Sequence, residues 1–126
     1  MKSILIVDDE EEIRSLYESE LGDEGYSTHA VSSGEEALHF IDANPEIDLV
    51  ILDIKMGLLD GLQVLERLRS RRADLPVILN SAYSTYKSDF KSWLADAYLV
   101  KSPNLSELKN SVKELLRLEP AGRESR

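Results

Sequence analysis

Apolar residues are distributed along the chain in two alternating patterns. In "SILIV" (3–7), "DLVIL" (48–52) and "PVILN" (76–80) they follow one another without a polar break and are rich in branched side chains. Strands covered on both faces read this way. "STHAV" (27–31) and "AYLVK" (97–101) are weaker versions of the same pattern. Between these runs the apolar positions recur at helical spacing. Residues 11–21 carry Ile13, Leu16, Tyr17, Glu20 and Leu21 on one stripe, and Ser33 followed by Glu36 predicts a capping box before a helix that turns Ala37, Leu38 and Ile41 inward. Residues 60–70 repeat leucine at 62, 65 and 68, and residues 84–95 set Tyr86, Phe90, Trp93 and Leu94 in an aromatic stripe. A last helix is predicted from Leu105 to about Leu118, with Asn104 and Glu107 as its N-terminal box and Leu108, Val112, Leu115 and Leu116 inward.

Strict alternation of five strands with five helices predicts an α/β fold, a doubly wound parallel sheet whose crossovers are long enough to be right-handed helical connections. A chain of 126 residues suits one such domain, burying roughly 65% of its unfolded surface. The domain is expected over residues 1–118. The polar segment "EPAGRESR" (119–126) reads as a tail or the start of a linker.

Charge and composition narrow the function. With 24 acidic against 15 basic residues and a net charge of -9, direct nucleic-acid binding is not expected. Cysteine is absent, which removes disulfides, thiolate nucleophiles and thiolate metal sites. The start "MKSILIVDDEE" has neither the length nor the flanks of a signal peptide or membrane span, so the expected location is cytoplasmic.

In parallel sheets of this kind ligands sit at the carboxyl ends of the strands. Asp8 and Asp9 follow the first strand, Asp53 the third, Asn80 and Ser81 the fourth, and Lys101 the fifth. Carboxylates converging on one rim repel each other, and a hard divalent cation, Mg²⁺ first among them, relieves that repulsion. The other groups suggest phosphoryl chemistry: Asp53 as an acyl-phosphate nucleophile, Lys101 as a point charge on a phosphate oxygen, Ser81 as a small hydroxyl beside another. His29 and His39 lack a third histidine and are expected to serve surface or packing roles.

"IVDDEEEIR", "LVILDIKM", "LDGLQVL", "VILNSAY" and "AYLVKS" occur in the order found in the receiver domain of two-component response regulators, and the chain resembles that family from residue 3 to about 118. The resemblance implies a flavodoxin-like sheet in order 2-1-3-4-5. It implies that Asp53 is the phosphoacceptor, that Asp9 ligates Mg²⁺ directly and Asp8 partly through water, and that the carbonyl of Lys55 is the remaining protein ligand. Ser81 would be the switch hydroxyl, Lys101 the phosphate-binding lysine and Tyr98 the aromatic switch. The implied donor is a sensor histidine kinase or a histidine phosphotransfer protein. The output partner is unspecified and is either separate or a domain attached in a longer parent protein. Homodimers through the fourth helix, fifth strand and fifth helix are a further implication. Such a protein modifies itself and is not a conventional turnover enzyme.

Several positions depart from the family. Gly57 stands where proline is usual after "DIKM" and loosens that loop. A cis bond directly after Lys101 would precede Ser102, not proline, and would cost about 2.5–4 kcal/mol. The interval from Ser81 to Lys101 is about two residues short, which shortens or shifts the fourth helix. Tyr83 is expected to slow hydrolysis of the phosphoaspartate, and equal hydrolysis rates for wild type and Tyr83→Ala would refute this. Two alternatives stay open from sequence: a phosphorylation-independent interaction module, and an aspartate-nucleophile phosphatase. The phosphatase would carry a second aspartate where this chain has Lys55.

Overall fold

The computed structural model describes residues 1–56, 60–82 and 94–117. The strands are β1 (Ser3–Val7), β2 (Ser27–Val31), β3 (Leu49–Leu52), β4 (Val77–Ser81) and β5 (Ala97–Val100). They form one parallel sheet in the order β2-β1-β3-β4-β5. The helices among the described residues are α1 (Glu11–Asp23), α2 (Gly34–Ala43), α3 (Gly61–Arg71) and α4 (Ser106–Arg117). The helix expected at 84–95 falls outside the described residues except at its end, so α4 is the last helix of the sequence reading. Of the aromatic stripe expected at 84–95 only Leu94 lies among the described residues, and it is exposed.

The uninterrupted apolar runs are explained by burial on both faces of the sheet. β1, β3 and β4 alternate their side chains between two clusters. Leu5, Val7, Val50, Leu52, Val77 and Leu79 face α2 and α3, where Ile41, Leu65 and Leu68 meet them. Ile4, Ile6, Leu49, Ile51 and Ile78 face α1 and α4, covered by Tyr17, Leu21, Leu108 and Val112. β2 is only half-buried along its length, as an edge strand should be. His29 packs its ring against Phe40, with centroids 5.3 Å apart.

Helix ends follow side-chain chemistry, with three corrections to the sequence reading. Ser33 caps α2 by accepting from the Glu36 amide, but Glu36 reaches back to the Ser32 amide and hydroxyl, so the reciprocal box is displaced by one residue. The complete box belongs to α3, where Asp60 accepts from the Gln63 amide and Gln63 from the Asp60 amide. At α4, Asn104 accepts from the Ser106 amide, one residue short of Glu107. Leu16, placed on the inward stripe of α1, is 42% exposed, because Ile13, Tyr17 and Leu21 at spacings of four already fill the contact with the sheet. α1 stops at Gly25, whose φ of 99° suits glycine after a helix end. None of the described peptide bonds is cis, that after Lys101 included. No described helix is long and apolar enough to cross a membrane.

Candidate functional site

Main-chain bonds carry the strand pairing just past the strand ends and fix where the polar residues leave the sheet. The amide of Asp8 donates to Val31 at 3.2 Å, that of Asp53 to Val7 at 2.9 Å and that of Lys101 to Ser81 at 2.7 Å. Asp8, Asp53, Ser81 and Lys101 are thereby gathered on one rim by the backbone itself. Ser81 ends β4, and the other three directly follow β1, β3 and β5.

The carboxylates of Asp8, Asp9 and Asp53 bring one oxygen each within 4.8 Å of one another. Asp8 and Asp53 are only 2% and 5% exposed, while Asp9 is open to solvent. The Lys101 ammonium lies 2.8 Å from Asp8, 3.5 Å from Asp53 and 3.5 Å from Glu10. Burial, together with the neighbouring Asp8 charge, pushes the Asp53 carboxyl up to about 6, and Lys101 only partly opposes this. For Lys101, burial pulls the ammonium down, but the Asp8 hydrogen bond and the charges of Asp53, Asp8 and Glu10 outweigh it and raise the pKa.

One lysine thus serves several carboxylates, two of them buried. Such a set of hard oxygen donors, short of positive charge, fits a small divalent cation. Lys55 is exposed two residues beyond Asp53. Tyr98 lies half-buried on β5 opposite Leu79 and packs against the α2–α3 side of the core. Gly57 and Tyr83 lie outside the described residues.

Three neighbours of the site were not singled out from sequence. Arg14 donates to the Asp8 carbonyl at 2.8 Å and braces the loop that carries Asp8 and Asp9. Glu10 shares Lys101, as above. Gly61 opens α3 with its amide 2.7 Å from the Ile54 carbonyl. A Cβ at Gly61 would lie 2.2 Å from the Asp53 carbonyl oxygen and 2.7 Å from the Ile54 Cα, so the helix start rests directly on the Asp53 peptide. The Asp60–Gln63 capping spacing was the readable signal there, since it places a glycine at the first helical position beside strand β3. Arg14 and Glu10 offered none, because charged residues in the first turn of a helix are ordinarily solvated.

A parallel sheet in order 2-1-3-4-5, with an aspartate cluster and a lysine on its carboxyl rim, defines the receiver class. Residues 4–113 match the response regulator receiver domain, and the chain belongs to that family. Among curated proteins it is similar to the regulatory protein AtoC of Escherichia coli (strain K12), 36% identical over 126 residues that cover 98% of this chain and 27% of AtoC. It is also similar to the response regulator MprA of Mycobacterium sp. (strain KMS), 40% identical over 117 residues covering 90% of this chain and 50% of MprA. The chain spans half or less of the length of these curated relatives. Among solved structures it is similar to the response regulator TrrA of Thermotoga maritima in complex with Mg²⁺-BeF. That match has 51% identity and a TM-score of 0.87, and covers 91% of this chain and 99% of TrrA. TrrA bound to the histidine kinase ThkA matches with 50% identity and a TM-score of 0.87, over 92% of this chain and 99% of TrrA.

Proposed function

We propose that this receiver domain takes a phosphoryl group onto Asp53 in a Mg²⁺-dependent reaction and signals through the resulting change of its surface. The observation that carries the reading is the rim itself: a buried aspartate with raised affinity for protons, two further carboxylates beside it, and a lysine between them. Asp8, Asp9, Asp53 and the backbone carbonyl of Lys55 would hold the cation. When bound, Mg²⁺ supplies positive charge that offsets the charge on the transferring phosphoryl group.

The chain's own residues do the rest. A carboxylate oxygen of Asp53 attacks phosphorus, an O–P bond forms, and the bond to the donor breaks with its electron pair leaving on the donor. With a phosphohistidine donor that pair goes to the imidazole nitrogen. Lys101, already 3.5 Å from Asp53, is placed to hold a phosphoryl oxygen as a compact charge. Ser81, buried at the end of β4, offers a hydroxyl small enough to approach another. Tyr98 follows Ser81 towards the core as the aromatic switch, a population shift between two packings.

The donor in this reading is a sensor histidine kinase or histidine phosphotransfer protein, supported by the kinase complex of TrrA. The greater length of AtoC and MprA supports an output domain attached to the receiver domain (1–118) in a longer parent protein, with 119–126 as a linker. TrrA, matched over 99% of its chain, supports a separate output partner, with 119–126 as a tail. Membership of the receiver family supports a cytoplasmic location, and the acidic balance supports a domain that meets proteins and does not bind nucleic acid itself. A homodimer through β5, α4 and the segment before them belongs to the phosphorylated state.

Intact-protein mass after incubation with acetyl phosphate tests the reading. One added phosphoryl group with Mg²⁺, and none with EDTA or in Asp53→Asn, is the expected result. No gain in the wild type, once rapid hydrolysis is excluded by trapping at early times, would leave a phosphorylation-independent interaction module.

A further inference from the structure

Asn80 and Tyr17 form a polar pair inside an otherwise apolar cluster. The Asn80 side-chain amide donates to the Tyr17 hydroxyl at 2.7 Å, across 63 residues of sequence. The two residues are 3% and 2% exposed. Their surroundings are the aliphatic side chains between the sheet and α1 and α4, including Ile78, Leu108 and Val112. In such a setting an unpaired amide or phenol loses the hydration it had in the unfolded chain, so the bond strongly favours one relative position of its two elements.

Those two elements meet beside the chemistry. Asn80 directly precedes Ser81, and the Ser81 carbonyl accepts the Lys101 amide at 2.7 Å. Ser81 is therefore held on one side by a backbone bond to Lys101 and on the other by a residue tied to α1. The Tyr17 phenol is raised by burial, partly relieved by Asn80, and feels the charges of Lys101, Asp8 and Asp53. We propose that Tyr17 and Asn80 are positioning residues for the phosphoryl-handling pair Ser81 and Lys101, because their buried hydrogen bond fixes the end of β4 against α1. The inference rests on the reading of Asp53 as phosphoacceptor.

A merely structural pair and a positioning pair differ in what their removal changes. Neither residue belongs to the carboxylate cluster, so cation binding stays intact while phosphoryl handling loosens. A cavity of about 10 Å³ borders both residues, together with Val100, Ser102 and Leu105. That volume is at the lower limit for one water, so Tyr17→Phe leaves the Asn80 amide poorly hydrated and lowers the urea midpoint.

The test compares wild type, Tyr17→Phe and the double variant Tyr17→Phe/Asn80→Val in three readouts: urea midpoint, Mg²⁺ affinity by calorimetry, and phosphorylation rate with acetyl phosphate. Tyr17→Phe is expected to slow phosphorylation roughly five- to tenfold with Mg²⁺ affinity within about twofold of wild type. The double variant removes both polar groups and is expected to regain the urea midpoint but not the rate. A rate that recovers with stability, or an Mg²⁺ affinity that falls by the same factor as the rate, overturns the proposal. Should Tyr17→Phe fail to fold, the double variant alone decides, and a wild-type rate in it overturns the proposal. Failure of the wild type itself to gain a phosphoryl group would strike the reading of Asp53 instead.

Discussion

The two ends of the sheet carry the same kinds of charged residue and treat them in opposite ways. At the amino ends of the strands the two carboxylates that directly precede β3 and β5, Asp48 and Asp96, have partners. Asp48 accepts the Ser3 amide at 2.7 Å, joining β1 to the start of β3. Asp96 accepts the Val77 amide at 2.8 Å and the Arg69 guanidinium at 2.7 Å. Arg69 in turn donates to the carbonyls of Leu94, Ala73 and Leu75, closing the gap between α3, β4 and β5. At the carboxyl ends, Asp8, Asp9 and Asp53 converge on one another, with Lys101 shared between Asp8 and Asp53, and Glu10 draws on the same lysine. One end is closed by its own hydrogen bonds. Among the described residues the other keeps an excess of negative charge, which an added cation with or without a phosphoryl group would balance.

The comparison is broken most forcefully where the fold presses on the carboxyl end. Gly61→Ala drives a Cβ into the Asp53 and Ile54 backbone, with no flexible side chain there to yield. It is expected to cost about 3 kcal/mol in urea denaturation and to slow phosphorylation of the folded fraction at least about tenfold. At the amino end, Asp96→Ala leaves the Val77 amide unpaired and deprives Arg69 of its carboxylate. A loss of about 2 kcal/mol is expected in the same experiment, with the phosphorylation rate of folded protein unchanged.

At the carboxyl end the sign reverses. Asp53 has a folded-state pKa of about 6 against 3.8 ordinarily, so its ionised form opposes folding. The penalty is complete above about pH 6 and fades as pH falls towards 3.8, where the unfolded chain's carboxyl protonates too. Asp53→Asn should therefore be more stable than wild type at pH 7.5 without divalent cation, by about 1–2 kcal/mol once solvent screening is allowed for. The difference should vanish below about pH 4. Urea curves for both proteins across that range, recorded in EDTA, check it.

Strand order was implied only by the resemblance to receiver domains, whereas the parallel sheet and the rim residues were legible in sequence because β1, β3 and β4 are short, apolar on successive residues and closed by a polar residue. That pattern marks burial on both faces and locates the rim at once. Asp8, Asp53, Ser81 and Lys101 lie where the pattern breaks. Leu16 was misplaced because a stripe read at spacings of three and four is wider than the line along which α1 touches the sheet. The Ser33–Glu36 spacing located the cap, since Ser33 accepts from the Glu36 amide, but the Glu36 carboxylate goes to the neighbouring Ser32, a choice that only geometry makes. The Arg69–Asp96 clamp and the Asn80–Tyr17 bond join residues 27 and 63 positions apart, and neither has a local signature. Single-residue periodicity reports which face is buried, not which polar groups meet once it is.

Thermal unfolding with and without Mg²⁺, for wild type and Asp53→Asn at pH 7.5, tests the central claim most directly. If the carboxyl rim is a cation site held short of positive charge, Mg²⁺ at ten times its dissociation constant should stabilise wild type by about 1.4 kcal/mol, a rise in Tm of roughly 5 °C. Asp53→Asn should start from the higher Tm in EDTA and gain less. A wild-type Tm indifferent to Mg²⁺, or an Asp53→Asn protein less stable than wild type in EDTA, would contradict the account.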